Sequence, residues 1–311
     1  MVDKAAAIIE QEQFRADVAV AELRRAARSL PLHRRAWRLA RRKPLGAVSL
    51  VLVVFMIVVA LGADLIAPYG YNDSLRGHLL EGPSAQFPMG TDNYARDILS
   101  RIIHGARVSL AVGITSVIVG VIGGALFGIV SGFFEGKLDL AIQRVMDAQM
   151  ALPTIILALT IVAAIGVGLV NVMVAIGLSQ IPRVNRIVRG SVMAEKRNVY
   201  VDAAGVIGCT TARIMFRHIL PNVTAPIIVI ATVTLAQSIL IEASLSFLGV
   251  GVPPPTPSWG SMLSQEARRY MLAQPWMAIW PGLAISLVVL GWNLFGDALR
   301  DVWDPRLRGG R

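Results

Sequence analysis

The chain contains five uncharged runs, each long enough to cross a lipid bilayer. A helix needs about 20 apolar residues to cross the roughly 30 Å hydrocarbon core. The runs are 45–63, 108–134, 148–182, 218–241 and 271–296. Backbone polar groups find no water partner in lipid, so segments of this kind cross the membrane as helices. The sequence therefore predicts an all-α integral membrane protein.

The run 148–182 is too long for a single span, because it holds 35 residues without a charge. It is interrupted by Gly166-Val-Gly168, and this pair of glycines favours a tight turn. Two helices of roughly 145–165 and 169–188 fit this pattern. The fifth span continues past Glu242 to about Leu248, before a Gly- and Pro-rich stretch. The predicted total is six transmembrane helices.

The composition agrees with a membrane protein, and the charge distribution predicts its orientation. Only 16% of residues are charged, against about 25% in soluble domains, and the mean hydropathy is +0.61. The net charge of +10 would suggest nucleic acid as a partner of a soluble protein. However, 24 of the 30 Lys and Arg residues lie in segments 1–44, 135–147, 183–222 and 297–311. The positive-inside rule therefore predicts cytoplasmic termini and no nucleic-acid partner.

The predicted organisation follows from these spans and loops. It comprises a cytoplasmic tail 1–44, a first transmembrane helix 45–67, an extracytoplasmic loop 68–107, a five-helix core 108–300 with a cytoplasmic loop 189–222, and a cytoplasmic tail 301–311. The first tail places Trp37 and Leu39 among basic residues, which is typical of a helix on the anionic inner leaflet. Its basic leader is too long for a signal peptide, so the first span is expected to remain as an anchor.

The second span carries glycines at every fourth residue, at positions 120, 124, 128 and 132. This spacing places them on one side of a helix, where a neighbouring backbone can approach closely. The sequence therefore predicts tight helix packing along this side. The alternative is a bend that moves during a transport cycle.

The chain lacks the sequence patterns of an enzyme or of a metal protein. Cys209 is the single cysteine, so no intrachain disulfide can form. The four histidines have no metal-ligand spacing, and no nucleotide-binding P-loop or hydrolase motif is present. We therefore predict no catalytic, metal-binding or cofactor-binding residues.

The cytoplasmic loop before the fifth span is longer than a simple turn and is patterned. The patterned residues are Asp202, Ala203, Ala204, Gly208, His218, Leu220 and Pro221. Asp202 can cap a short helix, Gly208 can turn the chain after it, and Pro221 can begin the next span. A thin helix with small residues fits a groove on another protein. The alternative is an ordinary interhelical loop.

This pattern resembles the Glu-Ala-Ala…Gly…Ile-x-Leu-Pro loop by which permeases of ATP-binding-cassette importers engage their ATPases. It differs by Asp202 in place of Glu and by His218 in place of Ile. The segments 87–101, 105–110, 246–251, 254–260 and 293–305 are similar to those of C-type permease subunits of dipeptide, oligopeptide and nickel importers. The resemblance covers residues 32–308.

The resemblance implies a type I importer permease fold in a bacterial inner membrane. It implies a heterodimer with a sibling permease, two cytoplasmic ATPases that carry ATP and Mg²⁺, and an extracytoplasmic solute-binding protein. The patterned loop would couple ATP hydrolysis to movement of the helices, and this chain would itself bind no cofactor. Peptides, nickel chelates, opines and glutathione-like compounds all stay open as substrates.

Three further residues are candidates for the pathway or its gate. Arg96 and Asp97 match the family motif in the outer loop, although a helix cap or an internal ion pair would also account for them. Glu242 is an ionisable residue inside a span, where charges are functional candidates by default. It lies near the outer helix end, so snorkelling or pairing with an outer arginine is an alternative.

Two other functions are compatible with these sequence patterns. Six spans and Glu242 also fit an ion-coupled carrier or a channel that acts without ATPase partners. A membrane scaffold that uses its basic tail is the third hypothesis.

Overall fold

The computed structural model describes residues 43–264, 269–270 and 272–303, and its extended elements of secondary structure are all helices, with irregular connections at 67–97 and 248–260. The chain divides into two compact units, 1–47 and 48–311, and the first contributes only residues 43–47 to this description. The helices are α1 (Pro44–Leu61), α2 (Ala63–Ile66), α3 (Ile98–Phe134), α4 (Gly136–Met150), α5 (Thr154–Ile165), α6 (Leu169–Lys196), α7 (Val199–Val206), α8 (Thr211–Arg213), a π-helix (Ile214–Ile219), α9 (Leu220–Phe247), a 3₁₀ turn (Ser261–Leu263) and α10 (Trp276–Trp303). The predicted surface helix of the basic tail lies outside the described residues.

Four helical segments in the described part of the chain are long and apolar enough to cross a membrane. They are α1, α3, α10 and the continuous helix Thr211–Phe247, and the bent pair α4 and α5 makes a fifth if it is counted as one span. The helix α6 coincides with the predicted fourth span and is 28 residues long, but it carries several arginines and does not belong to this set. The structure therefore supports a multi-pass membrane protein, while the count of six stays a prediction.

The helix α3 begins at Ile98, whereas the uncharged run predicted a start at 108. The Asp97 carboxylate accepts a hydrogen bond from the Ser100 backbone N–H at 2.8 Å, which caps the helix. Arg101 and Arg107 lie in the first turns of α3, and these charges ended the run in the sequence. The outer connection consequently ends at residue 97 rather than at 107.

The predicted helix 145–165 is wrong as a single straight element. The helices α4 and α5 are separated by a short break and make an angle of 93°. Pro153 stands directly before α5, and proline has no N–H for a helical hydrogen bond and disfavours helix in the residue before it. The chain therefore bends where Pro153 interrupts the helical bonds.

The glycines of α3 pack against α6, as their spacing predicts. A Cβ on Gly124 would lie 2.5 Å from Val184 Cβ, and one on Gly128 would lie 2.8 Å from Val188 Cβ. Gly120 faces the Gly177 carbonyl in the same way. Small residues thus let the two backbones approach closely, and α3 and α6 form the most extensive helix pair among the described elements.

Candidate functional site

The coupling segment, residues 198–222, is helical rather than an extended loop. Asn198 precedes α7 at the N-cap position, and Asp202 lies inside the helix. The prediction that Asp202 caps this helix is therefore wrong, because helix formation already begins at Val199. Asp202 still lies near the helix N-terminus, where a negative charge interacts favourably with the helix dipole.

One face of α7 is fixed to the rest of the protein. Val201 and Ala204 are buried and belong to one apolar cluster with Ile214, Met215 and Ile219 of the π-helix. The same cluster includes residues of α3, α6 and α9, so the buried face of α7 packs against several long helices. Packing against the long helices therefore fixes the position of this face of α7.

The opposite face of α7 is apolar and open. Val199, Val206 and Ile207 are 82%, 88% and 79% exposed, and Ala203 is exposed between them. An exposed apolar patch of this kind makes this face a candidate for contact with another protein. Gly208 follows α7 with φ +86°, a left-handed conformation that favours glycine, and it turns the chain away from the helix as its position predicts.

Tyr200 joins α7 to both neighbouring helices. Its hydroxyl donates to the Glu195 carboxylate at the end of α6 and receives a hydrogen bond from Asn222 Nδ2 of α9 at 2.9 Å. Asn222 Nδ2 also donates to the His218 carbonyl at 2.8 Å. Partial burial, together with the hydrogen bond to Glu195, raises the pKa of Tyr200, so its hydroxyl remains a donor at neutral pH.

Pro221 lies in the first turn of α9, but the helix does not begin there. The π-helix precedes it without a break, and the Leu220 N–H donates to the Met215 carbonyl five residues back. Pro221 has no N–H, so it cannot donate the hydrogen bond that an α-helix would need at this position. The wider π-helical turn before it accommodates the loss of that bond. His218 lies within this turn, and its Nε2 is buried without a hydrogen-bond partner among the described residues.

Arg96 and Asp97 have internal partners on the outer side. Arg96 Nε lies 2.8 Å from Asp92 Oδ2, while Asp97 is buried and caps α3. Arg101 Nε approaches the same Asp92 oxygen at 3.6 Å. The helix cap and the internal ion pair are therefore confirmed. Arg96 and Arg101 also line an outer cavity of about 840 Å³, which leaves a pathway role as a proposal.

Glu242 is completely buried, so it neither snorkels nor pairs with an outer arginine among the described residues. Its Oε1 accepts a hydrogen bond from Ser246 Oγ at 2.7 Å, and Ser246 Oγ accepts one from the Val252 N–H at 3.2 Å. Ser258 Oγ lies 3.4 Å from Ser246 Oγ. Glu242 therefore helps to hold the outer connection 250–258 on the end of α9.

The arginines of α6 make contacts that the sequence did not predict. The predicted fourth helix, roughly 169–188, contains Arg183 and Arg186, and α6 extends further, through Arg189 to Lys196. Arg189 makes two hydrogen bonds to Asp139 of α4, at 2.7 and 2.6 Å, and Arg186 pairs with Asp147 at 2.9 Å.

No group of three or more His, Cys, Asp or Glu side chains that could hold a metal ion occurs in the part of the chain that the structure describes.

Comparisons with known proteins identify the family of this chain. The family model of the binding-protein-dependent transport system inner membrane component matches residues 124–309, which include the coupling segment. A second model, the N-terminal TM domain of oligopeptide transport permease C, matches residues 32–83.

The chain is also similar to several permeases along most of its length. It is 45% identical to the di/tripeptide transport system permease protein DppC of Pseudomonas aeruginosa, over 85% of this chain and 88% of that protein. It is 40% identical to the dipeptide transport system permease protein DppC of Alkalihalophilus pseudofirmus and 43% identical to the glutathione transport system permease protein GsiD of Pectobacterium atrosepticum, in both cases over 88% of this chain and 90% of the relative. The chain therefore belongs to the family of binding-protein-dependent transport system inner membrane components, as a multi-pass, non-catalytic permease subunit of an ATP-binding-cassette importer.

Proposed function

We propose that this chain forms half of the translocation pathway of an importer for di- or oligopeptides or related small solutes. The other half is a sibling permease, so that the working membrane unit is a heterodimer. The similarity to di/tripeptide, dipeptide and glutathione permeases supports this substrate class. The proposed arrangement has six transmembrane helices with both termini in the cytoplasm.

The observation that carries the coupling role is the two-sided character of α7. Its buried face packs on the cytoplasmic ends of the long helices, and its exposed face offers Val199, Val206 and Ile207 to a partner. We assign this partner as a cytoplasmic ATPase, one of two beneath the heterodimer. The residues of the coupling segment that we assign to this role are Asp202, Ala203, Ala204, Gly208, His218, Leu220 and Pro221.

ATP and Mg²⁺ belong to the partner ATPases in this proposal, and the chain itself binds no cofactor. Closure of the ATPases would push on α7 and move α6 and α9 together, because one apolar cluster joins them. On the outer side, the connection that contains Arg96 and Asp97 would face the solute-binding protein.

The test is uptake by a reconstituted complex. The chain is co-expressed with its sibling permease and both ATPases, placed in liposomes, and supplied with the binding protein and a labelled dipeptide. We expect uptake that needs ATP and all components. Uptake by this chain alone, driven by an ion gradient, would instead establish the carrier or channel alternative.

A further inference from the structure

The outer cavity of about 840 Å³ lies at the end of the helical bundle that is opposite the coupling segment. It is lined by residues of the segment 248–256 after α9, by Val167 in the turn between α5 and α6, and by Arg96 and Arg101 beside the start of α3. The helices α6 and α9 each hold 28 residues, so about 40 Å separates this end from the coupling segment. Small-molecule pockets span roughly 300–1,000 Å³, so the cavity has the volume of a ligand site.

Two arginines in the wall of this cavity share one carboxylate. Asp92 Oδ2 lies 2.8 Å from Arg96 Nε and 3.6 Å from Arg101 Nε. Asp92 Oδ1 already accepts the backbone N–H groups of Tyr94 and Arg96. None of the other described acids forms an ion pair with either arginine, and Asp97 is buried and caps α3 instead. Since the described residues that line the cavity include no Asp or Glu, the pair of arginines gives it a net positive charge.

Both guanidinium groups have N–H groups without a partner. Arg101 Nη1 donates to the Tyr71 carbonyl at 3.0 Å, but Arg101 Nη2 and both Nη atoms of Arg96 have no acceptor among the described residues. The two side chains are only 8% and 14% exposed, yet none of these three nitrogens is shielded from solvent. A ligand in the cavity can therefore reach them. The planar fork of an arginine matches the two oxygens of a carboxylate, and such charge-assisted bonds are strong.

The rest of the wall is largely apolar and rigid. It includes Val167, Leu248, Val252 and the three consecutive prolines 253–255. A proline ring fixes its own φ, so this part of the wall loses little freedom when a ligand binds. The Val252 N–H also donates to Ser246 Oγ, which holds the segment on the end of α9. An apolar wall beside two arginines suits a ligand that has an anionic end and an apolar side chain.

We infer that the outer cavity binds the free carboxyl end of a peptide that enters from the outer side. The terminal carboxylate accepts hydrogen bonds from Arg101 Nη2 and from the Nη groups of Arg96, and the peptide side chain packs on the prolines 253–255. An acidic side chain of the binding protein has the same chemistry. However, the arginines are recessed in a concave site, which suits a small ligand better than a protein surface. The identity of the ligand rests on the proposed function.

The first experiment measures the charge and the occupancy of the cavity without transport. Thr256→Cys, made in a Cys209→Ser background, places one thiol of this chain at the cavity wall of the assembled complex in membranes. After correction for their rates with a free thiol, anionic methanethiosulfonate reagents should label this chain several-fold faster than cationic ones. An excess of dipeptide with a free carboxyl end should slow the labelling, whereas the amidated dipeptide should not. Equal rates for the two reagents, or equal effects of the two dipeptides, would overturn the inference.

The arginine variants test which groups bind the carboxylate. In the Thr256→Cys background, Arg96→Gln and Arg101→Gln should each raise the concentration of free dipeptide needed for half-protection about tenfold, the effect of losing one charge-assisted bond. Arg101 also holds Tyr71, so Arg96→Gln is the variant that leaves the outer connection intact. Arg96→Lys keeps the charge and should retain most of the protection. Unchanged protection in both glutamine variants, with the ATPases still co-purifying, would contradict the site.

The matched control is Arg107→Gln, which lies further along α3. It removes the same charge from the same end of the same helix, but Arg107 pairs with Asp64 and does not line the cavity. Its preference for anionic reagents and its protection by the free dipeptide should equal those of Thr256→Cys alone. A loss as large as that in Arg96→Gln would show that the general charge of this end, and not the cavity, sets the effect.

Two further measurements separate this inference from its alternatives. The affinity of the complex for the binding protein should be unchanged by Arg96→Gln. A lower affinity, together with unchanged protection by the dipeptide, would assign the arginine to the binding protein and overturn the inference. Failure of the unaltered complex to import any dipeptide would contradict the proposed function, whereas import without protection of the thiol would contradict only the carboxylate site.

Discussion

Asn222 of α9 and Tyr200 of α7 are joined by a hydrogen bond of 2.9 Å between Nδ2 and the phenolic oxygen. Through this contact the coupling helix is tied to the first turn of a long membrane helix. The same phenol donates to Glu195 at the end of α6, so a single side chain links three helices. The coupling segment is therefore hydrogen-bonded to both of the helices that it connects.

Tyr200→Phe removes this link and leaves the ring in place. A hydrogen bond of this kind contributes about 0.5–1.5 kcal/mol, so we expect the protein to fold and assemble. We also expect less dipeptide imported per ATP hydrolysed, since α7 is held less firmly on α6 and α9. Measurements of uptake and ATP hydrolysis on one preparation check this, and an unaltered ratio would count against a coupling role for the link.

Gly208→Val should abolish uptake while the protein still inserts into the membrane. Gly208 has φ +86°, and a residue with a Cβ loses about 1–2 kcal/mol in this conformation. Among the described residues other than its two chain neighbours, no heavy atom lies within 4 Å of the position of an added Cβ, so the cost is one of backbone conformation and not of crowding. Co-purification of the ATPases, together with uptake, measures the effect.

Gly190→Ala is the control for that change. Gly190 is inside α6, and an added Cβ there also meets nothing within 4 Å in the part of the chain that the structure describes, outside the local helix backbone, but its backbone is helical. Alanine is the better helix former by about 1 kcal/mol, so insertion and uptake should be preserved. A comparable loss of uptake in both variants would show that the left-handed conformation of Gly208 does not explain the effect of Gly208→Val.

Ala203→Asp should weaken binding of the ATPases without unfolding the permease. Ala203 is exposed on α7 among Val199, Val206 and Ile207, so a carboxylate there would be desolvated in the contact. We expect a loss of about tenfold or more in affinity for the ATPases. Retention of the ATPases during purification tests this, and normal retention would place the docking surface elsewhere.

Gly124→Val should destabilise the helix pair α3 and α6. A Cβ at this position would lie 2.5 Å from Val184 Cβ and 2.9 Å from the Ile181 carbonyl oxygen, so the helices must separate. Overpacking of this kind typically costs about 1–3 kcal/mol. Thermal unfolding in detergent should show a lower Tm. The control Gly282→Ala, where an added Cβ meets none of the described neighbouring residues within 4 Å, should leave the Tm unchanged.

Glu242→Gln should preserve ATP-driven uptake, whereas Glu242→Leu should reduce it. The amide oxygen of the introduced glutamine can still accept from Ser246, but leucine leaves that hydroxyl and the outer connection without this anchor. An ion-coupled carrier that depends on this carboxylate predicts the opposite for the glutamine variant, namely loss of all uptake. Uptake of a labelled dipeptide by both variants separates the two cases.

The sequence allowed prediction of features that depend on local pattern. The uncharged runs located the apolar helices, and the glycine spacing in α3 identified the face that packs against α6. The left-handed turn at Gly208 was likewise predictable from its place after Ala203 and Ala204. Each of these follows from residue type at fixed spacing, without knowledge of distant neighbours.

Features that depend on tertiary contacts were missed. Arg183 lay inside the predicted fourth helix, but its hydrogen bond to Gln237 of α9 depends on the packing of α6 against α9. The buried position of Glu242 depends on Ser246 and on packing between helices, which a single helix pattern cannot supply. The helix α3 begins at its Asp97 cap, although the charged residues Arg101 and Arg107 follow that cap and delayed the predicted start of the span to 108.

The π-helix Ile214–Ile219 changes how the two ends of the helix Thr211–Phe247 face their surroundings. One additional residue in a turn rotates everything beyond it by about 100° round the axis, since an α-helix has 3.6 residues per turn. The side chains of Thr211–Arg213 are thus out of phase with those of α9 by roughly a quarter of a revolution. If this turn returned to α geometry, α9 would rotate about its own axis relative to the coupling segment, and the helix would stay continuous.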